Sequence, residues 1–207
     1  MKDVTLNIAI GASASSAVWN NKQIKWSELV EKLSSPIVTA ETIEEYAKMT
    51  KQDKLRAKDV GGFVGGKLAG KKRSMSSVQS RQLIALDADY AYDGLWEDFM
   101  VLYDCAACMH STHSHTPKNP RYRIFIPLDR PVTAEEYEAI GRRIAADLGM
   151  ELFDATTFEA NRLMFWPSVS SNVDFVFEKS NSEILSADKV LATYDDWTDI
   201  TEWPTHR

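Results

Sequence analysis

The chain has 207 residues, 44% of them hydrophobic and 26% charged, which predicts one globular domain able to bury a good core. No apolar run approaches the roughly 18 residues that a membrane-spanning helix needs, and the N-terminal apolar run is too short for a signal peptide. A net charge of −6 argues against coating nucleic acid with the whole surface. Residues 51–81, however, hold nine Lys/Arg against two acids, and residues 182–207 hold six acids against two bases, so a polyanion would be drawn to one region only.

In chain order, "VTLNIAIG" alternates as a strand, while "KWSELVEKL" and "ETIEEYAKMTKQDKLRAK" have helical spacing. "GGFVGGKLAGKKRSMSSVQS" reads as a glycine-rich basic loop, and "RQLIALDADY" as an apolar strand ending in acid. "DGLWEDFMVLYD" predicts a helix with Leu95, Phe99 and Leu102 on one face. "AACMHSTHSH" and "RYRIFIPL" read as strands around the turn "TPKNP", a hairpin. "VTAEEYEAIGRRIAADLG" is the clearest helix: Thr133 and Glu136 form a capping box, Tyr137, Ile140, Ile144 and Leu148 make the buried stripe, and Gly149 closes it. The pair Glu135/Glu136 therefore has a structural role. "NRLMFWPS" and "VDFVFEKS" follow as strands, then the acidic segment 186–207, read as a tail or linker to a further domain. This order predicts an α+β domain with a mixed or antiparallel sheet.

"GGFVGGKL" nearly matches the phosphate loop G-x-x-x-x-G-K-[ST], but Leu68 stands where the Mg²⁺-binding hydroxyl belongs and a charged helix precedes it, so an ATPase loop is rejected. A flexible basic loop touching phosphates through Lys67, Lys71, Lys72 and Arg73 stays open beside a merely solvated one. In "LIALDADY", strand parity puts Asp87 and Asp89 on the face of Leu83 and Ala85. Two like charges so placed repel unless a cation neutralises them, and hard oxygen ligands suit Mg²⁺ or Mn²⁺.

Three of the four histidines fall within residues 110–115, beside both cysteines. A strand would put Cys105 and His113 on one face and Cys108 and His110 on the other, which cannot close a tetrahedral zinc site. The cysteines then read as small core residues in a reducing setting. With "TPKNP" as a five-residue connection, His115 faces Arg121, His113 faces Arg123 and Ser111 faces Phe125, a cationic surface suited to phosphate. Asp154 adds a third candidate metal ligand. Arg162, on a strand face with Met164 and Trp166, adds a phosphate contact or pairs with Glu159.

Together "LDAD", "STHSHT…RYR" and "FD…NRLMFWPS" resemble the archaeo-eukaryotic primase superfamily, whose motifs are an acidic D-x-D/E strand end, a small-x-His strand and a hydrophobic-Asp pair. The likeness is to the primase-polymerase domain of phage and plasmid primase-helicases of the virulence-associated E type. It runs through "WSELVEKL", "DVGGFVGGKLAG", "THSHTPKNPRYRIFIPLDRPV" and "YDDWTDITEWP", nearly the whole chain. The resemblance implies a template-directed nucleotidyltransferase with Asp87, Asp89 and Asp154 holding Mg²⁺ or Mn²⁺. Ser111-Thr112-His113 would be the small-x-His motif and His113 the triphosphate contact, with His115 a second candidate. Arg121, Arg123 and Arg162 would add phosphate contacts, and residues 61–73 a template or nucleotide contact. It implies a catalytic domain over residues 1–185, with an N-terminal αβ unit over about 1–80 and an RRM-like core over about 81–180. It also implies a single-stranded DNA template and nucleoside triphosphates as partners, a helicase domain or protein as another, and a cytoplasmic setting in a bacterial host of a phage or mobile element. The chain shows no Walker loop of its own and no zinc-binding stem.

Two other readings compete. A rolling-circle replication endonuclease would use His113 and His115 for one metal and Tyr137 or Tyr92 as nucleophile, although Ser114 departs from that pattern's hydrophobic middle residue. A non-catalytic nucleic-acid-binding module would stack bases on Phe125 and Trp166.

Overall fold

The computed structural model describes residues 3–207. In chain order its elements are β1 (Thr5–Gly11), β2 (Asn20–Lys25), α1 (Trp26–Leu33), β3 (Ile37–Val38), α2 (Ile43–Lys48), α3 (Lys51–Lys58), β4 (Gly62–Val64), β5 (Gly66–Leu68), β6 (Val78–Ala88), α4 (Leu95–Tyr103), β7 (Ala107–Ser111), β8 (Tyr122–Val132), α5 (Ala134–Leu148), β9 (Met164–Phe165), β10 (Ser168–Val169), β11 (Phe177–Ser180) and α6 (Ala187–Leu191). The class is α+β, as the order of elements predicts.

The five-stranded sheet has the order β11-β7-β8-β6-β5 and is antiparallel between neighbours. Alternation along its strands builds two cores. Ile84, Leu86, Ala107, Met109, Ile124 and Ile126 face α4, α5 and α6, while Leu83, Ala85, Cys108 and Phe125 face the other way. That second face packs against Leu6, Ile8, Phe63 and Met164 of a smaller sheet, β2-β1-β4-β9, and against α1. The segment β6-α4-β7-β8-α5, with strand order β7-β8-β6 and its helices on one face, is the RRM-like core. The place beside β6 is filled by β5 from the N-terminal part, and β9 returns to the N-terminal sheet, so strands cross the division drawn at residue 80 in both directions.

α5 forms as its sequence dictates. The Thr133 hydroxyl accepts from the Glu136 N–H, the Glu136 carboxylate accepts from the Thr133 N–H, and Gly149 ends the helix at φ 121°. α4 departs from expectation at Leu102, which is exposed; the inward face follows i, i+4 spacing through Leu95, Phe99 and Tyr103. The expected single helix over 41–58 is two, because Met49 takes an extended backbone and Thr50 caps a new start.

Three larger expectations are corrected. "GGFVGGKL" is not a loop but the two short strands β4 and β5, and its glycines serve close backbone approach. A β-carbon at Gly62 would lie 2.4 Å from the Met164 carbonyl oxygen, and one at Gly66 would lie 2.2 Å from that of Ser80. The "TPKNP" hairpin register is also wrong. β7 ends at Ser111, and the ladder pairs His110 with Arg123, Cys108 with Phe125 and Ser111 with Tyr122. The connection spans 112–121 and contains a bridge of its own between Thr116 and Asn119. Finally, the acidic segment 186–207 is packed: Ala187, Val190, Leu191 and Tyr194 are buried against α5, and Trp197 and Trp203 lie on the same core.

Candidate active site

At one end of the five-stranded sheet the inward apolar row changes to polar residues. Beyond Leu83 and Ala85 on β6 comes Asp87, beyond Phe125 on β8 comes Arg123, and beyond Cys108 on β7 comes His110. Register sets these three side by side across the sheet, Asp87 opposite Arg123 and Arg123 opposite His110. They floor a cleft of about 150 Å³, walled by Lys58, Asp89, His113, Arg121, Asp154 and Arg162.

Asp154 reaches the cleft because its segment is laced to the end of β6. The Asp154 N–H donates to the Asp87 carbonyl (2.9 Å), the Asp87 N–H donates to Thr157 Oγ1 (2.9 Å), and the Thr157 hydroxyl donates to the Ala85 carbonyl (2.9 Å). Burial raises the Asp154 pKa, but the Thr156 N–H and hydroxyl and the charges of Arg162 and Arg121 outweigh it, leaving the carboxyl below its ordinary value.

Each of the three carboxylates holds an arginine: Asp87–Arg123 at 3.0 Å, Asp89–Arg121 at 2.5 Å and Asp154–Arg162 at 3.4 Å. Arg162 thus pairs with Asp154, not with Glu159. Among the described residues no three His, Cys, Asp or Glu side chains are grouped closely enough to hold an ion as they stand. The donor set nevertheless fits Mg²⁺ or Mn²⁺. All three are hard carboxylate oxygens on one cleft, and Asp87 Oδ1 is buried without a hydrogen-bond partner. Arg123 Nε and His110 Nε2 are also buried and unpartnered, so the cross-strand row offers an acceptor, a donor and an acceptor to whatever enters.

His110 Nδ1 lies 2.8 Å from the Ser111 carbonyl, which can only accept, so Nδ1 carries the proton and Nε2 a free lone pair. Burial, then the Arg123 charge, push this imidazole down to about 4. His113 has both ring nitrogens engaged, Nδ1 at 2.8 Å from Ser168 Oγ and Nε2 at 2.7 Å from the Glu41 carboxylate. Burial lowers its pKa against the pull of Glu41. Lys58, half-buried at the end of α3, is also lowered, by burial and then by Arg123.

Of the residues singled out from sequence, Asp87, Asp89, Asp154, His113, Arg121, Arg123 and Arg162 meet in this cleft. Ser111 and His115 do not. Ser111 Oγ accepts from the Val176 N–H on the far face, and His115 Nδ1 accepts from the Arg121 N–H while its ring packs on Tyr122. The expected pairs His113–Arg123 and His115–Arg121 across a ladder are absent because both histidines lie past the end of β7. Lys67, Lys71 and Lys72 are exposed away from the cleft, and Arg73 donates to the Asn161 carbonyl. Phe125 is fully buried and stacked on Phe63, so it offers no face to a base. The Tyr137 hydroxyl is buried against the carbonyls of Ala85 and Thr157, which removes it as a nucleophile. Tyr92 bonds to Asp98. Cys105 and Cys108 are buried free thiols in different cores, although Cys105 lies before the start of β7 and so is not placed by strand parity.

The sequence singles out none of Lys58, Glu41 and Thr157, and His110 enters there only as a zinc ligand. His110 had a signal: Cys108-Met109-His110 is also a small-x-His triplet, and it sits on the apolar strand itself.

The family model described as the VapE N-terminal domain matches residues 1–206. Among solved structures, the AEP domain (PP-N190) of the primase-polymerase of cyanophage S-2L is similar, with a TM-score of 0.50 at 15% identity over 88% of this chain and 98% of that one. No curated protein matches the chain.

Proposed function

The chain belongs to the VapE N-terminal domain family, and from that premise we propose that it is a DNA primase-polymerase domain, a template-directed nucleotidyltransferase of phage or plasmid replication. The observation that carries this reading is the cleft in which three aspartates are each matched to an arginine at the end of one sheet. Carboxylates suited to hard cations and arginines suited to phosphate are the two chemistries that nucleotidyl transfer needs in one place. Nucleoside triphosphates and a single-stranded DNA template are the proposed substrates, and a helicase domain or protein the proposed partner.

In this account Asp87, Asp89 and Asp154 would hold Mg²⁺ or Mn²⁺, which would supply the positive charge that favours in-line attack of a 3′-hydroxyl on the α-phosphate. Arg121, Arg123, Arg162 and Lys58 bind the triphosphate, the arginines exchanging a carboxylate for a phosphate as the nucleotide enters. The free lone pair of His110 repels phosphate oxygens and accepts from a donor such as a sugar hydroxyl, so it orients the nucleotide with its phosphates toward the arginines. His113, held at both nitrogens, reaches a phosphate only by releasing Glu41 or Ser168.

Incubation with primed and unprimed single-stranded templates, nucleotides and Mg²⁺ or Mn²⁺ tests the reading. Metal-dependent extension or primer synthesis is expected; template binding with no product in either metal refutes it.

A further inference from the structure

Beside the cleft a second hollow, about 570 Å³, runs along α3. Its wall includes Tyr46, Lys51, Lys54, Leu55, Lys58 and Arg121, and no carboxylate lines it. Lys51, Lys54 and Lys58 follow i, i+3, i+7 spacing, so one helix face carries three ammonium groups. The one acid of α3, Asp53, is taken up by Thr50 and Arg56. None of the residues of α3 is buried, so core packing does not account for its place. Lys58, Ser114 and Arg121 line both this hollow and the catalytic cleft, so the two adjoin. Leu55 is 44% exposed among the lysines, and Lys54 Nζ stands 5.7 Å from the Tyr46 ring centre.

We propose that this hollow is the track along which single-stranded nucleic acid reaches the cleft, a role that rests on the polymerase reading for its purpose but not for its binding. Lys51 and Lys54 hold the phosphodiester backbone, Leu55 gives a base an apolar contact, and Lys58 and Arg121 mark where the track meets the cleft and stay with the triphosphate. A metal-bound free nucleotide fits the hollow poorly, since no carboxylate is there to share its cation. Cation-rich walls with an apolar and aromatic element match the general chemistry of sequence-tolerant strand binding. This site is distinct from the exposed lysines at 67, 71 and 72.

The test is a salt series of labelled oligothymidylate binding by anisotropy. Removing two backbone contacts flattens the dependence of log K on log salt by about 1.4, since each contact to a single strand contributes about 0.7. Lys51→Gln/Lys54→Gln is expected to show that flattening. Lys22→Gln/Lys179→Gln, the same charge change on exposed strand positions, is expected to keep the wild-type slope. Thermal melting checks that each variant folds. An unchanged slope in the α3 variant, or a fall confined to Lys71→Gln/Lys72→Gln, overturns the proposal. Incorporation of nucleotide on a primed template is scored separately. Extension with an unchanged α3 slope refutes the track alone, whereas a flattened slope without extension refutes the polymerase reading alone.

Discussion

If the cleft arginines are held by carboxylates until a nucleotide arrives, cutting one pair has an unusual consequence. Asp89→Asn removes a candidate metal ligand and at the same time frees Arg121. The pair is bidentate, with Nε 3.1 Å from Oδ1 and Nη2 2.5 Å from Oδ2. Its side chains are 33% and 25% exposed, so solvent screens it partly. A charge-assisted pair of this kind contributes about 1–2 kcal/mol net. Binding phosphate with Arg121 must first break it, so its removal strengthens metal-free triphosphate binding by about 5- to 30-fold. The assay is calorimetric titration with inorganic tripolyphosphate in a chelator. The control is Asp93→Asn, an equal charge change at an exposed acid outside the cleft. Tripolyphosphate binding by Asp89→Asn no tighter than by Asp93→Asn would refute the exchange of arginines between carboxylate and phosphate.

Two further outcomes follow from the fold and the buried histidine. A histidine whose folded pKa is depressed contributes stability that is full above its unfolded value of about 6.5 and is lost as pH falls toward its folded value; for His110, pushed down to about 4, the loss between pH 7.5 and pH 5 is about 2 kcal/mol. Denaturant melts at the two pH values should show a loss about 2 kcal/mol larger in wild type than in His110→Gln, since His113 and His115, also lowered by burial, contribute to both, and an equal pH dependence in both proteins contradicts the burial argument. Gly66→Ala places a methyl against the Ser80 backbone, which cannot swing away as a side chain can, and should cost about 2–3 kcal/mol by the same measurement. A variant as stable as wild type would show that β5 does not approach β6 so closely.

What was legible in the sequence was what alternation and capping control. Strand parity alone set Asp87 on the face of Leu83 and Ala85, and the capping box of α5 was readable from Thr133 and Glu136. Register across the hairpin was not readable, because it depended on a connection length. The assumed five residues are ten, and the odd shift exchanges the faces of β7, bringing His110 in place of His113 opposite Arg123. The strands within "GGFVGGKL" are hidden because glycine that permits flexibility and glycine that permits close strand contact look alike in composition, whereas the basic stretch 69–74 lies outside any strand, as expected. The partners of Asp89 and Asp87 are hidden for another reason: Arg121 and Arg123 lie more than thirty residues from them, and only the assembled sheet brings them together. The acidic segment 186–207 masked its own core contacts, since Ala187, Val190, Leu191 and Tyr194 are few among many charges.

Nucleotide incorporation on a primed single-stranded template in Mn²⁺ or Mg²⁺, compared between wild type, Asp87→Ala and Tyr137→Phe, bears most directly on the account. Wild type is expected to extend the primer, Asp87→Ala to lose the activity by a factor of about 1,000 or more, as removal of about 4 kcal/mol of transition-state stabilisation implies, and Tyr137→Phe to keep extending. Retained extension in Asp87→Ala, or covalent attachment of the protein to a cleaved DNA 5′ end, contradicts the assignment.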